Sequence, residues 1–72
     1  MGIRVIKTRI KLGKRLQRLR KTVGFTQEEF AEKLGISRTH IGHVEQGRKS
    51  PSLKLIEKMA KTLKVKVKDL FP

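Results

Sequence analysis

Residues 27 to 46, QEEFAEKLGISRTHIGHVEQ, restrict the possible folds more than any other part of this chain. Their apolar and small side chains fall where two short helices crossing at a tight turn need them. Ala31 is small enough to sit at the crossing, and Gly35 can take the left-handed conformation that ends one helix and redirects the chain. Ile36 lies in the turn. Ile41 and Val44, three residues apart, face inward from the second helix. This is the pattern of a helix-turn-helix, and where that motif meets DNA its second helix enters the major groove. The polar side chains left outside, Arg38, Thr39, His40 and His43, are therefore the candidates for reading base edges. His40 and His43, one turn apart, are expected on the same face.

The flanking sequence reads as more short helices on short loops, with no repeat or interdomain linker. From about Lys11 to Thr22, Leu12, Leu16, Leu19 and Val23 recur at i, i+4, i+7 and i+11, with bases on the opposite face. Gly24 ends that helix. Thr26 and Glu29 form a T-x-x-E capping box that starts the next, which runs to about Leu34. Ser37 is the N-cap of the third, and Gly47 terminates it. Ser50, Pro51 and Ser52 mark a loop and a fresh helix start. A fourth helix, about Leu53 to Leu63, is expected to bury Leu53, Ile56, Met59, Ala60 and Leu63. A short fifth, about Val67 to Phe71, is expected to close the core with Leu70 and Phe71. The fold class is thus all-α, a compact five-helix bundle over residues 11–72. Before Lys11, Ile3 and Val5 alternate with bases as in a strand, whereas Ile3, Ile6 and Ile10 fit a helix extended backwards. Residues 1–10 are expected as a partly ordered basic arm.

Charge points to the partner. The net charge of +13 on 72 residues calls for a polyanion, and DNA, RNA and an anionic membrane all satisfy it. Its placement narrows the choice: residues 1–21 carry nine bases and no acid, residues 22–47 two bases and four acids, and residues 48–72 eight bases and two acids. A mildly acidic motif between basic flanks suits a protein whose flanks hold phosphate while a nearly neutral helix meets bases. No apolar run has the length of a membrane span, and Cys is absent, so a soluble cytoplasmic protein is expected. No nucleophile paired with a base and no metal-ligand set appears, and two histidines alone do not hold a metal. An enzyme, a cofactor and a metal site are not expected.

The stretch LGKRLQRLRKTVGFTQEEFAEKLGISRTHIGHVEQGRKSPSLKLIEKMAKTLKVKVKDLF, residues 12–71, resembles the Cro/repressor-like helix-turn-helix domains, the XRE family. TQEEFAEKLGIS and VEQGRKSPSL, in this order and spacing, carry the resemblance. It implies a lambda-repressor-like, five-helix DNA-binding domain that binds a palindromic operator on double-stranded DNA as a homodimer, through the helix at 37–46, and regulates transcription, as a repressor or autoregulator. By the same resemblance Gln27, at the start of the second helix, holds a phosphate and bonds toward Arg38. Ser37, Arg48, Lys49 and Lys54 are further phosphate contacts, and Arg20 pairs with Glu45 to tie the first helix to the third. Leu55, expected to point away from the core, joins Val65, Val67 and Phe71 as the candidate dimer surface. No small-molecule ligand is implied. Restriction–modification controllers and antitoxins of the same fold, and a non-specific basic nucleic-acid binder, are the competing readings. A membrane-binding segment over residues 3–23 is a weaker one. Two departures from the family stand out: Lys64 and Lys66 replace the usual Gly and Ser or Thr around the fourth helix's end, and Gly42 interrupts the third helix where Ser is commoner.

Overall fold

A computed structural model describes residues 2–71; Met1 and Pro72, the outer ends of the arm and of the helical domain expected above, lie outside the described residues. Four α-helices follow in order: α1 Ile3–Val23, α2 Gln27–Leu34, α3 Arg38–Glu45 and α4 Leu53–Leu63, and a 3-10 turn spans Val67–Leu70. No strand occurs among the described residues. The helix starts are fixed by side chains taken from the sequence. The Glu29 N–H donates to Thr26 Oγ1 (3.0 Å) and the Thr26 N–H to Glu29 Oε1 (2.9 Å), a reciprocal box at the head of α2. Ser37 accepts from the His40 N–H and Ser52 from the Leu55 N–H, each at 3.1 Å, capping α3 and α4.

Leu12 and Leu16 of α1, Phe30, Ala31 and Leu34 of α2, Ile41 and Val44 of α3, and Met59 and Leu63 of α4 meet in one core that Leu70 closes. α2 and α3 pack on each other and α1 lies across α3. That crossing depends on Gly13, where a Cβ would stand 2.5 Å from the backbone oxygens of Val44 and Glu45. Only a residue without a side chain lets the two helix backbones approach so closely.

Four expectations change. α1 begins at Ile3 rather than Lys11, so the basic stretch continues the helix backwards. Ile3, Val5, Ile6 and Ile10 remain exposed there. The buried face of α4 comprises Leu55, Ile56, Met59, Ala60 and Leu63. Leu55, expected at a dimer surface, is 7% exposed and inside, while Leu53, expected inside, is 68% exposed. Leu53 occupies the first turn at one margin of the face, and Leu55 the other margin, beside the end of α2. The fifth element is a single 3-10 turn closed by the Lys66 N–H on Asp69 Oδ2 (3.0 Å). Four residues bring one fully buried side chain, Leu70, to the core, with Val67 partly buried against it, and Phe71 leaves in extended conformation, 40% exposed. At the end of α4, Lys64 adopts the left-handed conformation (φ 58, ψ 42), at a cost of about 1–2 kcal/mol for a residue with a Cβ.

Candidate nucleic-acid interface

α3 is amphipathic, and its outer side is the polar one. Ile41 and Val44 are buried, whereas Arg38, Thr39 and Gln46 are exposed and Gly42 and His43 half-buried. Gln27 from α2 and Arg48 from the following loop complete a concavity of about 310 Å³ over this face. Arg48 is held in place by backbone: its N–H donates to the His43 carbonyl at 2.9 Å, and the Lys49 N–H reaches the same oxygen at 3.3 Å. The concavity thus gathers guanidinium, hydroxyl, amide and imidazole groups on a rigid two-helix support. Such groups donate to or accept from base edges and phosphates.

A second hollow adjoins it at the head of α2, bordered by Gln17, Lys21, Thr26, Gln27, Glu28 and Arg38. Free N–H groups and the positive end of the α2 dipole face this region, conditions that favour an anion. The Glu28 carboxylate on its rim opposes one. Arg38 borders both hollows.

Beneath them lies the most buried polar cluster. Arg20 Nε donates to Glu45 Oε2 at 2.6 Å and its second terminal nitrogen to Oε1 at 3.1 Å, with side chains 6% and 2% exposed. The remaining terminal nitrogen donates to the Phe25 carbonyl at 2.7 Å. Gln27 Nε2 donates to Glu45 Oε1 at 3.0 Å, so the Gln27 amide bonds toward Glu45 and not toward Arg38 as expected. One amide hydrogen, the side-chain carbonyl and the backbone N–H of Gln27 remain for an external partner.

The expected site residues are therefore only partly assembled. Arg38, Thr39, His43, Gln27 and Arg48 share the concavity. His40 does not share it with His43. It lines a separate hollow between the end of α2 and the start of α4, with Ser52, Lys54, Leu55 and Lys58. Lys54 lies in that same hollow, away from Arg48. Ser37 and Lys49 are exposed at the two ends of α3, the Ser37 oxygen already engaged as a cap. Of the apolar set, Val65 and Val67 are partly buried against the core and Phe71 is exposed. Gln46 was missed. It follows Gly42 by four and His43 by three, a spacing that shares a helix face and was readable in the sequence. Gln17 and Lys21 carry no such signal, because only the tertiary fold brings the later turns of α1 beside the head of α2. Among the described residues no group of His, Asp or Glu could hold a metal ion, and no helix is long and apolar enough to cross a membrane.

Comparison with known proteins places these features in a context. A family profile described as Helix-turn-helix (HTH_3) matches residues 16–70. The HTH-type transcriptional regulator YazB of Bacillus subtilis is 40% identical over 60 residues, covering 83% of this chain and 87% of its own. The restriction-modification controller protein C.AhdI from Aeromonas hydrophila superposes with a TM-score of 0.82 at 39% identity, over 86% of this chain and 94% of that one. The master regulator for biofilm formation SinR, solved in complex with DNA, gives a TM-score of 0.77 at 32% identity, over 82% and 95%.

Proposed function

This chain belongs to the Helix-turn-helix family HTH_3, and from that premise we propose that it is a sequence-specific DNA-binding transcription regulator. It lays α3 in the major groove of a palindromic operator as a homodimer. The observation that carries this reading is the single concavity uniting Arg38, Thr39, His43 and Gln46 of the α3 region with Gln27 and Arg48. Arg38 donates two bonds to guanine, and Thr39 and His43 contact neighbouring base edges. Gln27, Ser37, Arg48, Lys49 and Lys54 hold phosphates, fixing the register of α3 without reading sequence. His40, turned toward α4, is not assigned a base. Two copies place their α3 helices about 34–36 Å apart, one helical turn of DNA. Val65, Val67 and Phe71 form the contact between them; Leu55 is withdrawn from that surface because it is buried. The product represses or autoregulates, responding to its own concentration, and it acts in the cytoplasm without catalysing a reaction.

A second reading within the same fold is a restriction–modification controller. The similarity to C.AhdI supports it, since it extends over 94% of that chain at 39% identity.

Selection of bound duplexes from a random pool tests the proposal. The expected result is one two-fold symmetric site, preferred over unrelated DNA by at least about 10³-fold. Arg38→Ala relaxes discrimination at one base pair by about 1–3 kcal/mol. Arg48→Ala and Lys49→Ala weaken binding to every sequence and each lower the salt slope by about 0.9. A basic binder without specificity yields no selected site and equal losses from all three variants.

A further inference from the structure

Gly42 sits mid-way along α3, where glycine weakens a helix relative to alanine. A packing role would explain it, yet a Cβ built there meets nothing within 4 Å, in contrast to the crowded Gly13 and Gly47. Nor does it have a positive φ, which Gly24, Gly35 and Gly47 do. Neither sterics within the chain nor backbone conformation requires a glycine at this position. It lies on the wall of the concavity, between Arg38 and Thr39 on one side and His43 and Gln46 on the other.

The chemistry of the spot is specific. The Gly42 carbonyl accepts from the Gln46 N–H at 3.0 Å, and its own N–H is an interior helical donor. What Gly42 offers outward is therefore only bare Cα, apolar and about 1.5 Å lower than any residue carrying a Cβ. Among the groups that base pairs present in the major groove, the one apolar projection is the 5-methyl of thymine. We propose that Gly42 is a specificity-determining residue: its bare Cα is the seat for a thymine methyl group, and the absent side chain sets how deeply α3 enters the groove. The inference rests on the DNA-reading function proposed above.

The test uses the full chain, the Gly42→Ala and Gly42→Ser variants, and the duplex that the parent selects from a random pool. Gly42→Ala should raise Tm by about 4–8 °C, through better helix propensity, yet bind the selected duplex at least about tenfold more weakly. Gly42→Ser should lose affinity likewise. Replacing each thymine of the duplex in turn by uracil, which removes only the methyl group, should weaken the parent about fourfold at one position per half-site. Neither variant should respond to uracil there. Parent-like affinity of Gly42→Ala for the selected duplex overturns the proposal. So does an equal loss on selected and unrelated DNA, or a uracil scan without effect. A parent that selects no sequence overturns the DNA-reading function and this inference with it, whereas a selected site bound equally by all three proteins overturns this inference alone.

Discussion

Truncating Arg20 to alanine tests how much of the fold rests on one buried cluster. Arg20 makes three protein contacts of the strong kind at once: two nitrogens on the Glu45 carboxylate, the shorter at 2.6 Å, and one on the Phe25 carbonyl. An exposed pair of this geometry would be worth about 0–1 kcal/mol. Here both side chains are almost fully covered, and removal of the arginine leaves a carboxylate inside with only Gln27 as partner. The cost of such an orphaned charge is about 3–5 kcal/mol. A chain of 72 residues has roughly 4–11 kcal/mol in total, so Arg20→Ala should remove about a quarter of the stability or more. Tm should then fall by at least about 12 °C. Replacing both partners, Arg20→Met with Glu45→Leu, should recover most of the loss, because the penalty belongs to the unpaired charge rather than to a missing attraction. Urea and thermal denaturation of the parent, both single variants and the double variant give the coupling directly. A loss below about 1 kcal/mol for Arg20→Ala, or a double variant no better than the sum of the singles, would refute this reasoning.

Gly13→Ala should destabilise by about 1–3 kcal/mol, because the new Cβ meets two backbone oxygens that cannot rotate away; an unchanged Tm would mean that α1 and α3 part without cost. Lys64→Gly should do the opposite and stabilise by about 1 kcal/mol, relieving a left-handed residue with a Cβ, as read by thermal denaturation. The Thr26 backbone N–H, then its hydroxyl group and Lys33, hold the Glu29 carboxyl below its usual 4.5. A lowered folded-state value means stability that is present above 4.5 and fades as pH falls through that lowered value. The stability gap between parent and Glu29→Gln should accordingly be complete above pH 4.5 and shrink as pH falls below it, and a constant gap would deny the box its electrostatic part.

What the sequence made legible was local. The T-x-x-E box, the Ser37 and Ser52 caps, and the spacing of Ala31, Gly35, Ile41 and Val44 all act within a turn or two of themselves, and each appears where its spacing predicts. What was hidden needed a neighbouring element. Gly13 gains its role only when the last carbonyls of α3 lie against it. Leu53 and Leu55 are both leucines in the first turn of α4, and only the tertiary packing, which sets Leu55 beside the end of α2, decides which is buried. His40 and His43 share a helix, yet the packing of α4 places a separate hollow beside His40 while His43 lines the α3 concavity. Ile3, Ile6 and Ile10 had the helical spacing all along, but bases alternating with Ile3 and Val5 gave a competing strand pattern. Gln27 bonds Glu45 instead of Arg38, a choice between two partners distant in sequence and equal on paper.

The charge count of the central segment understates its fitness for a polyanion. Residues 22–47 hold four acids against two bases, which taken alone would repel DNA. Two of those acids are engaged locally, Glu29 in the α2 cap and Glu45 with Arg20 and Gln27, and neither lines the concavity. The cations that do line it are Arg38 and Arg48, so its local field is positive although its segment is not. Two cations are nonetheless too few to drive binding by counterion release alone, which grows with each phosphate neutralised. The attraction must come from the other bases of residues 1–21 and 48–72, the buried Arg20 excepted because Glu45 neutralises it. Under the function proposed above, leaving bulk attraction to the flanks makes the affinity of α3 depend on the fit of base edges, and that dependence is what sequence discrimination requires.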